Sequence, residues 1–89
     1  ELQYADLLLH VVDLTNPNWQ AHIEVVHQIL DDLEVLDKKM LYVFNKADLV
    51  PELENSMPQI NLFQPHVIIS SKSKDGIAPL LDYLVKWHK

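Results

Sequence analysis

Three short runs of almost unbroken apolar residues set the narrowest limits on what this chain can become. Leu7-Leu8-Leu9-His10-Val11-Val12, Met40-Leu41-Tyr42-Val43-Phe44 and Val67-Ile68-Ile69 lack the polar/apolar alternation of a sheet with one wet face. They have the texture of strands buried on both sides of a parallel sheet. The second and third are short, rich in β-branched or aromatic side chains and stopped by polar residues. Between the first two, Trp19, Ile23, Val26, Leu30 and Leu33 recur at steps of four, three, four and three, lining one side of an α-helix. Gln20, Glu24, Gln28, Asp31 and Glu34 form its solvated face. Asn16 or Asn18 can cap its start, and Pro17 suits a first turn. Ile77, Leu80, Leu81, Leu84 and Trp87 mark a last helix, with Pro79 tolerable because it falls in the first turn. Pro51, Pro58 and Pro65 interrupt the stretch between, so the pattern predicts one short helix around Glu52 to Met57 and otherwise loop.

Laid side by side in chain order, strands joined by right-handed crossovers put the first two connections on one face and the final helix on the other. The expected fold is therefore α/β, with three parallel strands in β-α-β-α-β-α order and three layers, α/β/α. One helix cannot blanket three strands, so one face is incompletely covered and the first strand is left without a neighbour. Those features predict part of a larger domain. With 89 residues, 48% of them hydrophobic, the chain holds a single core, and residues 1–89 read as one unit. The lone glycine, Gly76, leaves no material for a flexible linker. The start, Glu1-Leu2-Gln3-Tyr4, has neither an initiator methionine nor the pattern of a signal peptide, which points to a piece of a longer protein.

A formal charge of −6 argues against a surface that wraps nucleic acid through phosphate contacts. The absence of cysteine removes disulfides and thiolate zinc sites and fits a reducing, cytoplasmic setting. No run reaches the roughly twenty apolar residues of a membrane span. His10, His22, His27, His66 and His88 offer no metal-ligand spacing, since His22 and His27 are five apart, off the register of one helix face. They read as ordinary surface or partly buried histidines. Ser70, Ser71 and Ser73 lie near Asp75 without a positioned base, so no nucleophilic triad is expected. Asp31, Asp32, Glu34 and Asp37 read as a solvated helix end, and Trp19 and Trp87 as packing on the sheet.

Chemistry concentrates where two strands end. Asn45-Lys46-Ala47-Asp48 follows the second strand and Ser70-Ser71-Lys72 the third, at the carboxyl ends where open α/β sheets place ligands. Guanine presents two adjacent donors, its N1–H and its exocyclic amine, and the carboxylate of Asp48 can accept both. Such charge-assisted bonds contribute about 1.5 to 3 kcal/mol each, and adenine lacks the paired donors. Asn45 can read another edge of the base while tying the loops together. The stem of Lys46 can cover one face of the ring. Ser71 can offer a backbone N–H to the guanine carbonyl, with the stem of Lys72 nearby. The plainer alternative takes Asn45 and Asp48 as turn residues and both lysines as solvated.

Ala5-Asp6-Leu7-Leu8-Leu9-His10-Val11-Val12-Asp13, then Asn16-Pro17-Asn18-Trp19, then Val43-Phe44-Asn45-Lys46-Ala47-Asp48-Leu49, resembles the HflX group of GTPases, near the Obg and Era relatives. The resemblance covers essentially the whole chain. It implies the carboxyl-terminal half of a P-loop GTPase G domain, the fourth through sixth strands, with the phosphate-binding half absent. It further implies a parent that binds GTP or GDP with Mg2+, hydrolyses GTP and acts on the large ribosomal subunit. Ser71 departs from the alanine usual there, and serine is tolerable because that position works through its backbone.

A phosphate-binding loop needs a glycine-rich run ending in Lys-Ser or Lys-Thr, and a chain with one glycine has none. An Asp-x-x-Gly segment is also missing. Asp13 ends a strand near where such a site would sit, but reads first as a turn residue. No residue is therefore assigned to catalysis or to metal. Two other classes stay open. One is a small, non-catalytic α/β interaction module in which Asn-Lys-Ala-Asp is coincidental. The other, half of a dinucleotide-binding enzyme, is disfavoured by Asp13-Leu14-Thr15-Asn16-Pro17 where a glycine-rich turn belongs. The uncovered sheet surface further predicts self-association of the piece.

Overall fold

The computed structural model describes residues 7–34, 39–70 and 75–87. Its sheet has three parallel strands in the order β1-β2-β3, formed by β1 (Leu7–Asp13), β2 (Lys39–Asn45) and β3 (His66–Ile68). The expected α/β fold with strands in chain order is what is found. Helix α1 (Trp19–Asp32) joins β1 to β2, a four-residue α2 (Met57–Ile60) precedes β3, and α3 (Ala78–Lys86) follows it.

Parallel register explains how the faces divide. His10, Val12, Tyr42, Phe44 and Ile68 share one face through the pairs His10 with Tyr42, Val12 with Phe44, and Phe44 with Ile68. Against it pack Trp19 and Ile23 of α1, together with Ile60, Met57 and Phe63 from the second crossover. Both crossovers thus lie on one side, as right-handed connections require. Phe44 is fully buried, with Trp19 edge-on at 5.5 Å between ring centroids, a favoured aromatic geometry.

The other face carries Leu41, Val43, Val67 and Ile69, covered by Ile77, Leu80 and Tyr83 around α3. Nine helical residues reach only about 13 Å, and they sit over β2 and β3. Leu9 and Val11, register partners of Leu41 and Val43, are left 45% and 60% exposed. The incomplete cover expected from the sequence is therefore located on β1.

Four local expectations need correction. Leu33 does not join the buried stripe of α1, because the helix ends at Asp32 and Leu33 turns outward, 56% exposed. Neither asparagine caps α1 with its side chain. Asn16 Oδ1 instead accepts the N–H of Asn18 at 2.9 Å, fixing the turn before the helix, with Pro17 inside that turn. On α3, Leu81 and Leu84 are exposed and Tyr83 takes their place against the sheet. Between the prolines, Leu53–Asn55 makes a 3-10 turn and the α-helix begins only at Met57, with Pro58 in its first turn. A first-turn proline gives up no helical hydrogen bond.

Candidate functional site

The ladder continues past the strand ends and brings three loops together. Leu14 N–H donates to the Asn45 carbonyl at 3.2 Å, Ile69 N–H to that of Phe44 at 2.8 Å, and Ala47 N–H to that of Ile69 at 3.3 Å. Asp13, Asn45 and Ser70 therefore lie along one rim, at the carboxyl ends of β1, β2 and β3.

Asn45 closes β2, and its Oδ1 accepts the N–H of Lys46 at 2.8 Å. Lys46 takes a left-handed backbone conformation, φ 65° and ψ 29°, before the 3-10 turn Ala47–Leu49. That conformation costs a side-chain-bearing residue roughly 1 kcal/mol or more. It is held by the Asn45 side chain and by the Leu49 N–H, which donates to the Lys46 carbonyl at 3.0 Å. The chain thereby reverses tightly and presents Asp48 on an exposed turn.

Two side-chain bonds tie this loop to its neighbours. Ser70 Oγ donates to Asp48 Oδ1 at 2.7 Å, bridging the loops after β2 and β3. Lys46 Nζ reaches Asp13 Oδ2 at 3.1 Å, bridging back to β1. Asp13 Oδ1 also accepts the N–H and the hydroxyl of Thr15, at 2.9 and 2.6 Å. The Thr15 hydroxyl, then its N–H, then Lys46 lower the pKa of Asp13 below the usual carboxylate value. Asp13 is thus a turn residue, as the sequence indicates, and also the partner of Lys46, which the sequence alone leaves unseen.

The loop after β3 depends on the one glycine. Ser70 N–H donates to the Gly76 carbonyl at 2.9 Å, and a β-carbon on residue 76 would stand 2.0 Å from the Ser70 carbonyl oxygen. Only glycine lets the two segments approach this closely.

Of the six site residues named from sequence, the structure brings Asn45, Lys46, Asp48 and Ser70 to one rim, whereas Ser71 and Lys72 lie outside the described residues. Between the loops after β2 and β3 the link is made by the Ser70 side chain and the Ala47 backbone, while the Asn45 side chain bonds within its own loop and its carbonyl accepts the Leu14 N–H. Asp13, Thr15 and Gly76 were missed as contributors. The first two carried a weak signal, an Asp-x-Thr turn directly after a strand.

Elsewhere, polar side chains serve the fold. His27 Nε2 and the Tyr42 hydroxyl share a hydrogen bond, and His10 lies against both rings. Burial, and then the nearby His27, lowers the pKa of His10. His22 Nδ1 contacts Asn16 Nδ2, and His66 Nδ1 the Phe63 carbonyl. Among the described residues no three His, Cys, Asp or Glu side chains converge to hold a metal ion. No helix among the described residues is long and apolar enough to cross a membrane.

No protein-family model matches the chain. Individual proteins do. The chain is 39% identical over 82 residues to GTPase HflX of Caldanaerobacter subterraneus subsp. tengcongensis, covering 92% of this chain and 18% of that protein. It is 36% identical over 87 residues to GTPase HflX of Magnetococcus marinus, covering 94% of this chain and 19% of that one. GTPase HflX of Akkermansia muciniphila is 36% identical over 91 residues, covering 97% and 21%. The chain thus spans about a fifth of the length of the curated relatives it matches.

Proposed function

This chain is a segment of the HflX-type GTPases, and from that premise we propose that it is the guanine-reading part of a GTP-binding domain. In this reading residues 1–89 supply the carboxyl-terminal half of the G domain. The phosphate-binding half, the Mg2+ ligands and the residues that promote hydrolysis lie elsewhere in the polypeptide. The observation that carries the reading is the hydrogen bond from Ser70 Oγ to Asp48 Oδ1. It orients a carboxylate at the sheet rim, and a carboxylate has about four acceptor positions. Ser70 therefore directs Asp48 without exhausting its capacity for the N1–H and exocyclic amine of a base. Lys46 offers its stem to one ring face, and Asn45 holds the loop that carries both. The Ser71 N–H and the Lys72 stem complete the set by the resemblance given above.

No step of phosphoryl transfer is assigned to this chain, because that chemistry is positioning and charge stabilisation around phosphates and magnesium. GTP or GDP, with Mg2+, is the ligand of the intact polypeptide, which hydrolyses GTP, works in the cytoplasm and associates with the large ribosomal subunit. The test is competition of guanine and adenine nucleotides for the intact polypeptide. GDP and GTP should win by at least about a hundredfold, since adenine leaves a carboxylate unpaired. Equal binding of ADP and GDP would favour the interaction-module reading instead.

A further inference from the structure

Asp13 has no part in the base contacts just described, yet its carboxylate is engaged from two sides. Thr15 donates twice to Oδ1, and Lys46 Nζ meets Oδ2 at 3.1 Å. Asp13 and Asn45 are register partners across the β1–β2 ladder. The Lys46 side chain, leaving the loop one residue after Asn45, therefore runs back over the seam between these strands to reach Asp13. On the other flank Ser70 holds Asp48. The recognition loop is tethered to β1 through Lys46 and to β3 through Asp48.

Stability does not account for the β1 tether. Both side chains of the ion pair are close to half exposed, 44% for Lys46 and 46% for Asp13, and such pairs contribute little to folding. Geometry offers a better account. A lysine stem has four rotatable bonds, and a ligand that packs against an unrestrained stem must freeze them on binding. A stem already stretched between Lys46 Cα and a fixed carboxylate has lost much of that freedom beforehand. Thr15 restrains the anchor, because its two bonds to Oδ1 favour one orientation of the Asp13 carboxylate.

We propose that Asp13, locked by Thr15, is a positioning residue for base recognition, holding the Lys46 ammonium at the end of β1 so that the lysine stem forms a fixed apolar wall for a purine ring. The proposal rests on the guanine reading above. Preordering one rotamer-rich side chain is worth about two- to tenfold in affinity.

The test uses GDP affinity of the intact polypeptide, by calorimetry, with ADP as competitor. Asp13→Asn keeps an oxygen for the Thr15 turn and removes the charge. Asp13→Glu keeps the charge on a longer arm, and Lys46→Met keeps a stem without the ammonium. Asp13→Asn should weaken GDP about two- to tenfold, with partial recovery in Asp13→Glu. In the Lys46→Met background, Asp13→Asn should have no further effect, because the anchor then has nothing to hold. If Asp13→Asn proves unfolded, Lys46→Met alone should show the same loss. GDP affinity unchanged in both Asp13→Asn and Lys46→Met would overturn the proposal, as would an Asp13→Asn loss that persists in full in the Lys46→Met background. The two levels of the argument separate cleanly. A parent that prefers GDP over ADP while Asp13 variants bind normally removes this inference alone, whereas a parent with no such preference removes the guanine reading and the inference with it.

Discussion

Substituting the chain's one glycine tests how the fold builds the site. In Gly76→Ala the new methyl would meet the Ser70 carbonyl oxygen at 2.0 Å, its carbonyl carbon at 2.9 Å and Ser70 Cβ at 3.1 Å. The first two are backbone atoms, which cannot rotate aside, so the segments on either side must part by roughly 1.4 Å or more to restore ordinary contact. Forcing such a shift in packed structure costs about 1 to 3 kcal/mol. The Ser70 N–H to Gly76 carbonyl bond at 2.9 Å stretches or breaks with it, a further 0.5 to 1.5 kcal/mol or so. A total of about 2 to 4 kcal/mol is a large share of the roughly 5 to 15 that holds a domain together. Ser70 moves in the process, and with it the hydroxyl that orients Asp48. Denaturant unfolding and GDP titration of the variant should both show the damage. Ala21→Gly, at an exposed position in α1, is the control: it should cost about 1 kcal/mol of stability and leave GDP affinity alone. A Gly76→Ala protein that unfolds at the parental midpoint and binds GDP as the parent does would refute the close approach and the role given to it.

Three further outcomes follow from the uncovered face, the missing phosphate contacts and the half-buried His10. Because Leu9 and Val11 are exposed on β1, the edge strand of the sheet among the described residues, the 89-residue chain should self-associate at high concentration and Val11→Lys should suppress this; sedimentation showing a strictly monomeric parent would contradict it. The same isolated chain should bind GTP no better than about millimolar, since base contacts of a few kcal/mol act alone, and a micromolar dissociation constant by calorimetry would count against that. His10 is more easily protonated unfolded than folded, because burial and then His27 depress its folded pKa. Its neutral form supports the fold above the ordinary imidazole range, and that support is lost as pH falls through the folded value. Unfolding midpoints should therefore drop between about pH 7 and 5 and drop less in His10→Phe; equal slopes in both proteins would exclude His10 as the cause.

The layer order and the rim were legible in the sequence because each rested on a local signal. Unbroken apolar runs marked β1, β2 and β3, and the three-four spacing from Trp19 to Leu30 oriented α1. Asn45 and Asp48 stood out because two polar residues immediately after a buried strand need a reason. What escaped depended on contacts between distant segments. The Asp13–Lys46 pair joins positions 33 residues apart, and only the parallel register that sets Asp13 beside Asn45 makes them neighbours. The need for glycine at position 76 comes from the Ser70 backbone lying against it, a contact that no local pattern marks. On α3, Leu81 and Leu84 fit an apolar stripe as well as Tyr83 does, and the placement of the helix over β2 and β3 decided between them. A second row on α1, Val25 and Ile29, is exposed and was hidden by the more regular core stripe.

Asp48→Asn in the intact polypeptide tests the central claim most directly. If the carboxylate accepts from N1–H and the exocyclic amine, an amide puts a donor where an acceptor is required, at a cost of about 2 to 4 kcal/mol, or roughly thirty- to a thousandfold in affinity for GTP. Xanthine has a carbonyl oxygen in place of that amine, so the new N–H gains a partner while the amide oxygen still accepts from N1–H. Competition between GTP and XTP should show guanine preference in the parent and preference turning toward xanthine in the variant. A folded Asp48→Asn protein that keeps its full preference for GTP would mean that Asp48 does not read the base.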